Sequence, residues 1–191
     1  MFQDGYLELI LGPMFSGKTS RLIKLYDNFI KDGFNVCVIN FSGDTRYHDK
    51  YLSTHDKVMI PCTLASKLNE VLEEMDASDI ILINEGQFFD DLSDVVVELV
   101  ENRHKQVFIC GLDGDFQRKK FGKLLDLIPL CDSVIKLHSK CDKCKGEAPF
   151  SHRQIEDKKQ VLIGSDIYVP LCRTCYKEKN TVSKKTIFET I

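Results

Sequence analysis

Residues 6–19 read Tyr6-Leu7-Glu8-Leu9-Ile10-Leu11-Gly12-Pro13-Met14-Phe15-Ser16-Gly17-Lys18-Thr19. An apolar run passes into a Gly-x-x-x-x-Gly-Lys-Thr loop. An apolar-periodic stretch follows, with Leu22, Ile23, Leu25, Tyr26, Phe29 and Ile30 on one face. Strand, loop and helix in that order are the setting in which such a loop binds phosphate. The cradle is Gly12, Pro13, Met14, Phe15, Ser16 and Gly17. Its glycines let backbone N–H groups curl around phosphate oxygens, and the helix start adds the positive end of its dipole. Lys18 is placed to reach the outer phosphates, and the Thr19 hydroxyl to sit on Mg²⁺. A chance glycine-rich turn is the bland alternative; the complete spacing in the right context argues against it. The chain therefore reads as a binder of ATP or GTP.

Working outward, short apolar runs alternate with amphipathic stretches. Phe34–Asn40 reads as a second strand and Leu64–Met75 as a helix. Asp79–Asn84 reads as a strand buried on both faces, Leu92–Arg103 as a helix, and Gln106–Leu112 and Ser133–Leu137 as further strands. This alternation predicts an α/β fold: a P-loop, RecA-like core whose mostly parallel sheet is flanked by helices. Near His138 the pattern changes to cysteine pairs and short runs at Pro149–Ile155 and Gln160–Ile163, which predicts a small, mostly β subdomain. The expected division is a P-loop domain over 1–138, a metal-binding subdomain over 139–180 and a polar, basic tail over 181–191.

Composition narrows the function classes. The chain has 191 residues, enough for one domain with a small appendage, and 43% of them are hydrophobic. Its 26 basic and 29 acidic residues give a net charge of −3. That argues against a broad basic surface for nucleic acid. No apolar run is long enough to span a bilayer. The opening residues show no basic segment leading into a long apolar one. A cytoplasmic protein is the expectation.

Of eight cysteines, Cys37 and Cys110 lie inside apolar runs and Cys62 and Cys131 are isolated, which reads as structural use. The other four form Cys141-x-x-Cys144 and Cys172-x-x-Cys175. Four thiolates close a tetrahedral structural Zn²⁺ site with no position open for water. Two unrelated pairs, an iron–sulfur cluster or a redox dithiol are the weaker readings.

Three polar clusters follow apolar strands. Asn84-Glu85-Gly86-Gln87-Phe88 ends the buried strand, where a P-loop enzyme places an acidic group near the transferring phosphate. Glu85 is the candidate general base, with a plain helix-start carboxylate as the alternative. Asp44-Thr45-Arg46-Tyr47 follows the second strand; taken alone it reads as a charged loop, with Asp44 facing magnesium through water and Arg46 the phosphoryl charge as the functional alternative. Asp113 to Arg118 follows another strand, and ligands of open α/β sheets bind at such strand ends.

Taken together, Gly12–Thr19, Asp44–Tyr47, Glu85–Phe88, Phe116–Lys119 and the two cysteine pairs resemble the cytosolic, zinc-containing (type II) thymidine kinases, from about Tyr6 to Tyr176. The resemblance implies transfer of the ATP γ-phosphate to the 5′-hydroxyl of thymidine, and of deoxyuridine, in nucleoside salvage. Glu85 falls on the family's catalytic base, and Lys18 and Arg46 on residues at the transferring phosphate. Asp44, Asn84 and Gln87 join the donor and magnesium site. Met14, Phe88, Leu112, Phe116, Ser151, Leu162, Ile163, Gly164 and Tyr168 fall on positions around the nucleoside. The segment between the cysteine pairs resembles the family's lasso, whose backbone reads the base edge. The family also implies a homotetramer inhibited by thymidine triphosphate. This chain departs from the pattern in three places. Asn84 stands where Asp is usual, Ser151 where Thr is common, and the lasso tip is about one residue shorter.

Three rival classes keep the phosphate loop and change its use. A zinc-knuckle ATPase acting on nucleic acid would need interleaved basic and aromatic residues, which are lacking. A GTPase switch would need an Asn-Lys-x-Asp motif, which is absent. A nucleotide binder without catalysis would follow if Asn84 disabled the metal site.

Overall fold

The computed structural model describes residues 4–43, 51–53, 58–162, 164 and 166–188, the last eight as backbone. Strand β1 (Tyr6–Leu11) leads through the glycine loop into helix α1 (Lys18–Lys31). Strand β2 (Val36–Phe41) follows, then a hairpin of β3 (Tyr51–Ser53) and β4 (Met59–Pro61), and β5 (Thr63–Ala65). A 3-10 turn (Leu68–Val71) enters α2 (Leu72–Asp76). Next come β6 (Ile80–Asn84), a 3-10 turn (Gly86–Phe88), α3 (Leu92–Val97) with a π-type extension (Glu98–Asn102), and β7 (Gln106–Gly111). After a 3-10 segment (Leu124–Leu130) comes β8 (Ser133–Lys136). The smaller part holds β9 (Ser139–Lys140), β10 (Glu147–Ala148), β11 (Phe150–Arg153), β12 (Tyr168–Leu171) and α4 (Arg173–Phe188).

The main sheet runs β5-β2-β6-β7-β1-β8, and every pairing in it is parallel. The period-2 geometry of strands sorts its side chains onto two faces. Leu7, Leu9, Ile39, Ile81, Ile83, Val107 and Ile109 pack with Met75 of α2 and with Leu92, Val96 and Leu99 of the α3 region. Ile10, Val38, Leu82, Phe108 and Cys110 pack on Leu22 and Ile23 of α1 and on Leu52 and Ile60 of the hairpin. Both faces are covered, which is why β6 and β7 are buried at every position.

One expected element is different. Leu64–Met75 is not a single helix: Thr63–Ala65 pairs with β2, and the helical turns begin only at Leu68. The Glu70 carboxylate accepts the N–H groups of Ser66 and Lys67, fixing the helical start after a short edge strand. The Gln160–Leu162 part of the second run expected to be β is irregular, because the Gln160 and Leu162 carbonyls accept hydrogen bonds from the side chains of Arg153 and Tyr168. Helix α4 carries on to Phe188, into the stretch read as a tail. Among the described residues no helix is long and apolar enough to cross a membrane.

The zinc-motif part has little core of its own. Its buried cluster is Cys141, Ala148, Leu171, Cys175 and Tyr176. It is tied to the main body by side-chain to backbone bonds. Ser139 Oγ donates to the Phe15 carbonyl at 3.0 Å, and Tyr176 Oη donates to the Phe116 carbonyl at 2.6 Å.

Candidate active site and metal centre

The glycine loop crosses the C-terminal end of β1. A Cβ on Gly12 would stand 2.6 Å from the Leu137 carbonyl oxygen, so only glycine lets β1 turn there. Phe15 and Gly17 take left-handed conformations, with φ of 61° and 82°. These bends wrap the loop around its own centre. Inside it, the Pro13 carbonyl accepts hydrogen bonds from Ser16 Oγ at 2.8 Å and Lys18 Nζ at 2.7 Å. Helix α1 has no side-chain N-cap and no acidic residue in its first turn. Its leading N–H groups and dipole therefore favour an anion at the loop.

The end of β6 faces this loop. Asn84 is buried, and its side chain is held from three sides. Nδ2 donates to Asn40 Oδ1 at 2.8 Å, while Oδ1 accepts from the Cys110 thiol at 3.0 Å and the Thr19 hydroxyl at 3.3 Å. Burial first, then the negative field of Glu85, push the Cys110 thiol up to about 12, so it stays an S–H donor. Thr19 and Asn84 present oxygen atoms to one spot, the donor chemistry that Mg²⁺ accepts, though Asn84 adds no charge.

Glu85 sits just beyond, in a left-handed conformation with φ of 56°. A non-glycine residue held there is strained, a cost tolerated where geometry matters more than stability. The Leu112 N–H donates to Gln87 Oε1 at 2.9 Å, which turns the Gln87 amide so that Nε2 donates to Glu85 Oε2 at 2.6 Å. Gln87 thus holds the carboxylate without itself facing the cleft. Gly111 makes room for it, since a Cβ there would lie 2.4 Å from Gln87 Oε1.

Loop and strand end share a cleft of about 440 Å³. Of the sequence-predicted site residues, Met14, Phe15, Ser16, Gly17, Lys18, Thr19, Asn84, Glu85, Phe88, Leu112, Phe116, Ser151, Leu162, Gly164 and Tyr168 line it. Gly12, Pro13 and Gln87 lie behind its wall and shape it. Asp44, Arg46 and Ile163 fall outside the described residues. Ser151 Oγ accepts the Met14 N–H at 2.9 Å, joining the zinc-motif part to the glycine loop.

Phe41, Phe121 and Arg153 escaped the sequence reading, and Asp115 entered it only as part of the polar cluster after β7. Phe41 stacks on Phe88 at 4.9 Å, and Phe121 meets Phe88 edge-on at 5.3 Å. Arg153 is 4% exposed and lies over the Phe116 ring at 3.7 Å. Asp115 accepts the Gln117 and Lys119 N–H groups, at 2.8 Å and 2.9 Å, and Gln160 Nε2 at 2.9 Å. Only the position of Asp115 at a strand end pointed this way. An aromatic ending a strand or an arginine within one is otherwise ordinary.

The four paired cysteines converge, with Sγ atoms all within 4.8 Å of one another. Cys144 Sγ and Cys172 Sγ are 3.7 Å apart, beyond any disulfide and close to the edge, about 3.8 Å, of a tetrahedron with 2.3 Å Zn–S bonds. The first knuckle turns through Lys145 (φ 64°), the Cys141 carbonyl accepting the Lys145 N–H at 2.9 Å. In the second, the Cys175 N–H donates to Cys172 Sγ at 3.4 Å. The donor set, the spacing and the closed geometry fit a structural zinc ion.

With this geometry in hand, the chain is similar to known proteins over nearly its whole length. A sequence profile described as "Thymidine kinase" matches residues 5–176. A Variola virus thymidine kinase is 43% identical over 173 residues, 90% of this chain and 97% of that one. A cytosolic thymidine kinase of Cricetulus griseus is 40% identical over 179 residues, covering 93% and 76%. "Thymidine kinase a" of Arabidopsis thaliana is 39% identical over 187 residues, covering 95% and 79%.

Proposed function

The chain belongs to the thymidine kinase family, and from that premise we propose that it transfers the γ-phosphate of ATP to the 5′-hydroxyl of thymidine, and of deoxyuridine, giving the monophosphate for salvage. The observation that carries this reading is the Glu85 carboxylate, clamped by Gln87 at 2.6 Å on the cleft that the phosphate loop and the Phe88 wall share. The triphosphate lies in the loop with its charge on the α1 N–H groups and Lys18. On binding, Lys18 exchanges the Pro13 carbonyl for a phosphate oxygen. The nucleoside lies between Phe88 and the segment carrying Leu162 and Tyr168, its 5′-hydroxyl toward Glu85. Glu85 takes the hydroxyl proton as the oxygen bonds to the γ-phosphorus and the bond to the β-phosphate oxygen breaks. Magnesium, arriving with ATP, would supply charge neutralisation at the phosphates; Thr19 and Asn84 would hold it, with Asp44 as a further candidate from the sequence. Arg46 steadies the phosphoryl charge. Zinc takes no part in the chemistry; it holds the ends of the base-reading segment. A cytoplasmic homotetramer inhibited by thymidine triphosphate completes the family-based reading.

The test is transfer of labelled phosphate from magnesium ATP to thymidine, deoxyuridine, deoxycytidine, deoxyguanosine and deoxyadenosine, with single-stranded DNA as a control. Transfer confined to thymidine and deoxyuridine is expected. No transfer to any nucleoside, with ATP hydrolysis stimulated by DNA, would overturn it in favour of the nucleic-acid ATPase.

A further inference from the structure

We infer that Arg153 is a positioning residue for nucleoside binding: its guanidinium sets the backbone of the segment that closes over the base. The inference deepens the kinase reading and rests on it.

Arg153 ends β11 directly opposite Tyr168 on β12, at the mouth of the long connection between these strands. A guanidinium has five N–H donors and no acceptor, and here all of them are used. Nε and Nη2 donate to Tyr168 Oη at 3.1 Å and 2.6 Å. Nη1 donates to the carbonyls of Asp157 and Lys159 at 3.1 Å and 2.5 Å, and Nη2 to that of Gln160 at 2.9 Å. Because Arg153 occupies the lone pairs of the Tyr168 hydroxyl, that group turns its own hydrogen to the Leu162 carbonyl, 3.2 Å away. Four carbonyls between residues 157 and 162 are thereby aimed inward, directly or through Tyr168. That choice of which way each peptide faces decides which backbone groups remain for a base.

The same guanidinium lies over the Phe116 ring at 3.7 Å, and Gln160 Nε2 donates to Asp115 Oδ2 at 2.9 Å. The segment is thus fastened at two points to the turn after β7. A buried cation held by carbonyls and a ring face suits Arg and not Lys, whose ammonium is a compact point charge with three donors. Positive charge alone does not reproduce the arrangement.

The experiment compares steady-state kinetics of the wild type with Arg153→Lys, Arg153→Met and Gln160→Leu, in zinc-replete protein of verified metal content. Both Arg153 variants are expected to raise the thymidine KM on the order of ten- to a hundredfold, with the ATP KM near its wild-type value and kcat changed far less. Gln160→Leu, which cuts only the second fastening, is expected to shift the thymidine KM in the same direction by less. A thymidine KM that stays near the wild-type value in folded Arg153→Met overturns the inference, as does full rescue by lysine. If the Arg153 variants do not fold, Tyr168→Phe decides: it removes the hydroxyl through which Arg153 holds the Leu162 carbonyl, and an unchanged thymidine KM overturns the inference. A wild-type protein inactive on thymidine would refute the kinase reading instead, so the two failures are told apart.

Discussion

Replacing Asn84 by Asp exchanges one NH₂ group for an oxygen at a position that is 2% exposed. The carboxylate keeps the Cys110 and Thr19 donors on one oxygen. Its other oxygen meets Asn40 Oδ1, now 2.8 Å from Nδ2, until the Asn40 amide turns over and offers its NH₂. That turn restores a hydrogen bond, but nothing restores the water a buried charge gives up. Burial therefore raises the pKa of the new carboxyl, and the Lys18 ammonium, whose field reaches Cys110 beside it, offsets only part. Holding a buried polar group away from water in this way costs on the order of 1–3 kcal/mol. For a chain of this size that is about 2–12 °C in melting temperature. The sign follows from linkage: with a folded pKa above the unfolded value of about 3.9, the unfolded chain ionises first. The deficit is absent below about pH 4, grows as the pH rises toward the folded pKa, and is constant above it. Melting curves of both proteins without nucleotide, from about pH 4 to 8, measure it. A deficit that is the same at every pH, or none at all, refutes the buried neutral network. In the kinase assay the carboxylate would add charge at the metal-facing spot, so turnover equal to or above the wild type is expected. A large loss would mean that the amide has a task of its own.

Glu85→Gln should keep thymidine binding and lower kcat by roughly 10²–10⁴; turnover near the wild-type value removes the general-base role. Gln87→Leu, which frees the carboxylate from its 2.6 Å partner, should lower kcat by roughly ten- to a hundredfold without touching the ATP site. Stripping the metal with a chelator should release one zinc per chain and abolish thymidine phosphorylation while ATP binding persists, because two of the five residues in the buried apolar cluster of that part are the proposed ligand cysteines Cys141 and Cys175; an unchanged thymidine KM in metal-free protein would contradict this. Burial pushes the thiols of Cys37 and Cys110 up to about 12 and that of Cys62 up to about 11, so alkylation of zinc-loaded native protein near neutral pH should leave all three unmodified by mass spectrometry. Rapid labelling of Cys110 would show that the Asn84 pocket is open.

Much of the site was legible because its chemistry is local. The phosphate loop is contiguous, and its glycines answer to backbone needs that only glycine meets, as the close approach of Leu137 to Gly12 shows. Cysteine pairs with two residues between them announce a metal before any fold is known. Glu85 was singled out by its position just after the apolar run Ile80–Ile83 and Asn84. The helix expected at Leu64–Met75 failed because a three-residue edge strand carries too little pattern to be told from the first turn of a helix. The Phe41–Phe88 stack, the turning of Gln87 toward Glu85 and the grip of Arg153 on Tyr168 join residues far apart in the chain. No spacing encodes them.

The phosphate loop, the alternating α/β order, the four paired cysteines and the acidic strand end can all be read from the chain before folding, since each rests on the properties of neighbouring residues. The tertiary structure alone decided that Asn84 is locked into a neutral pocket by Asn40, Cys110 and Thr19. It also decided that a buried arginine, and not a strand, organises residues 157–162. A buried polar group must find its partners wherever the packed chain brings them, and those partners exist only once β2, β6 and β7 stand side by side.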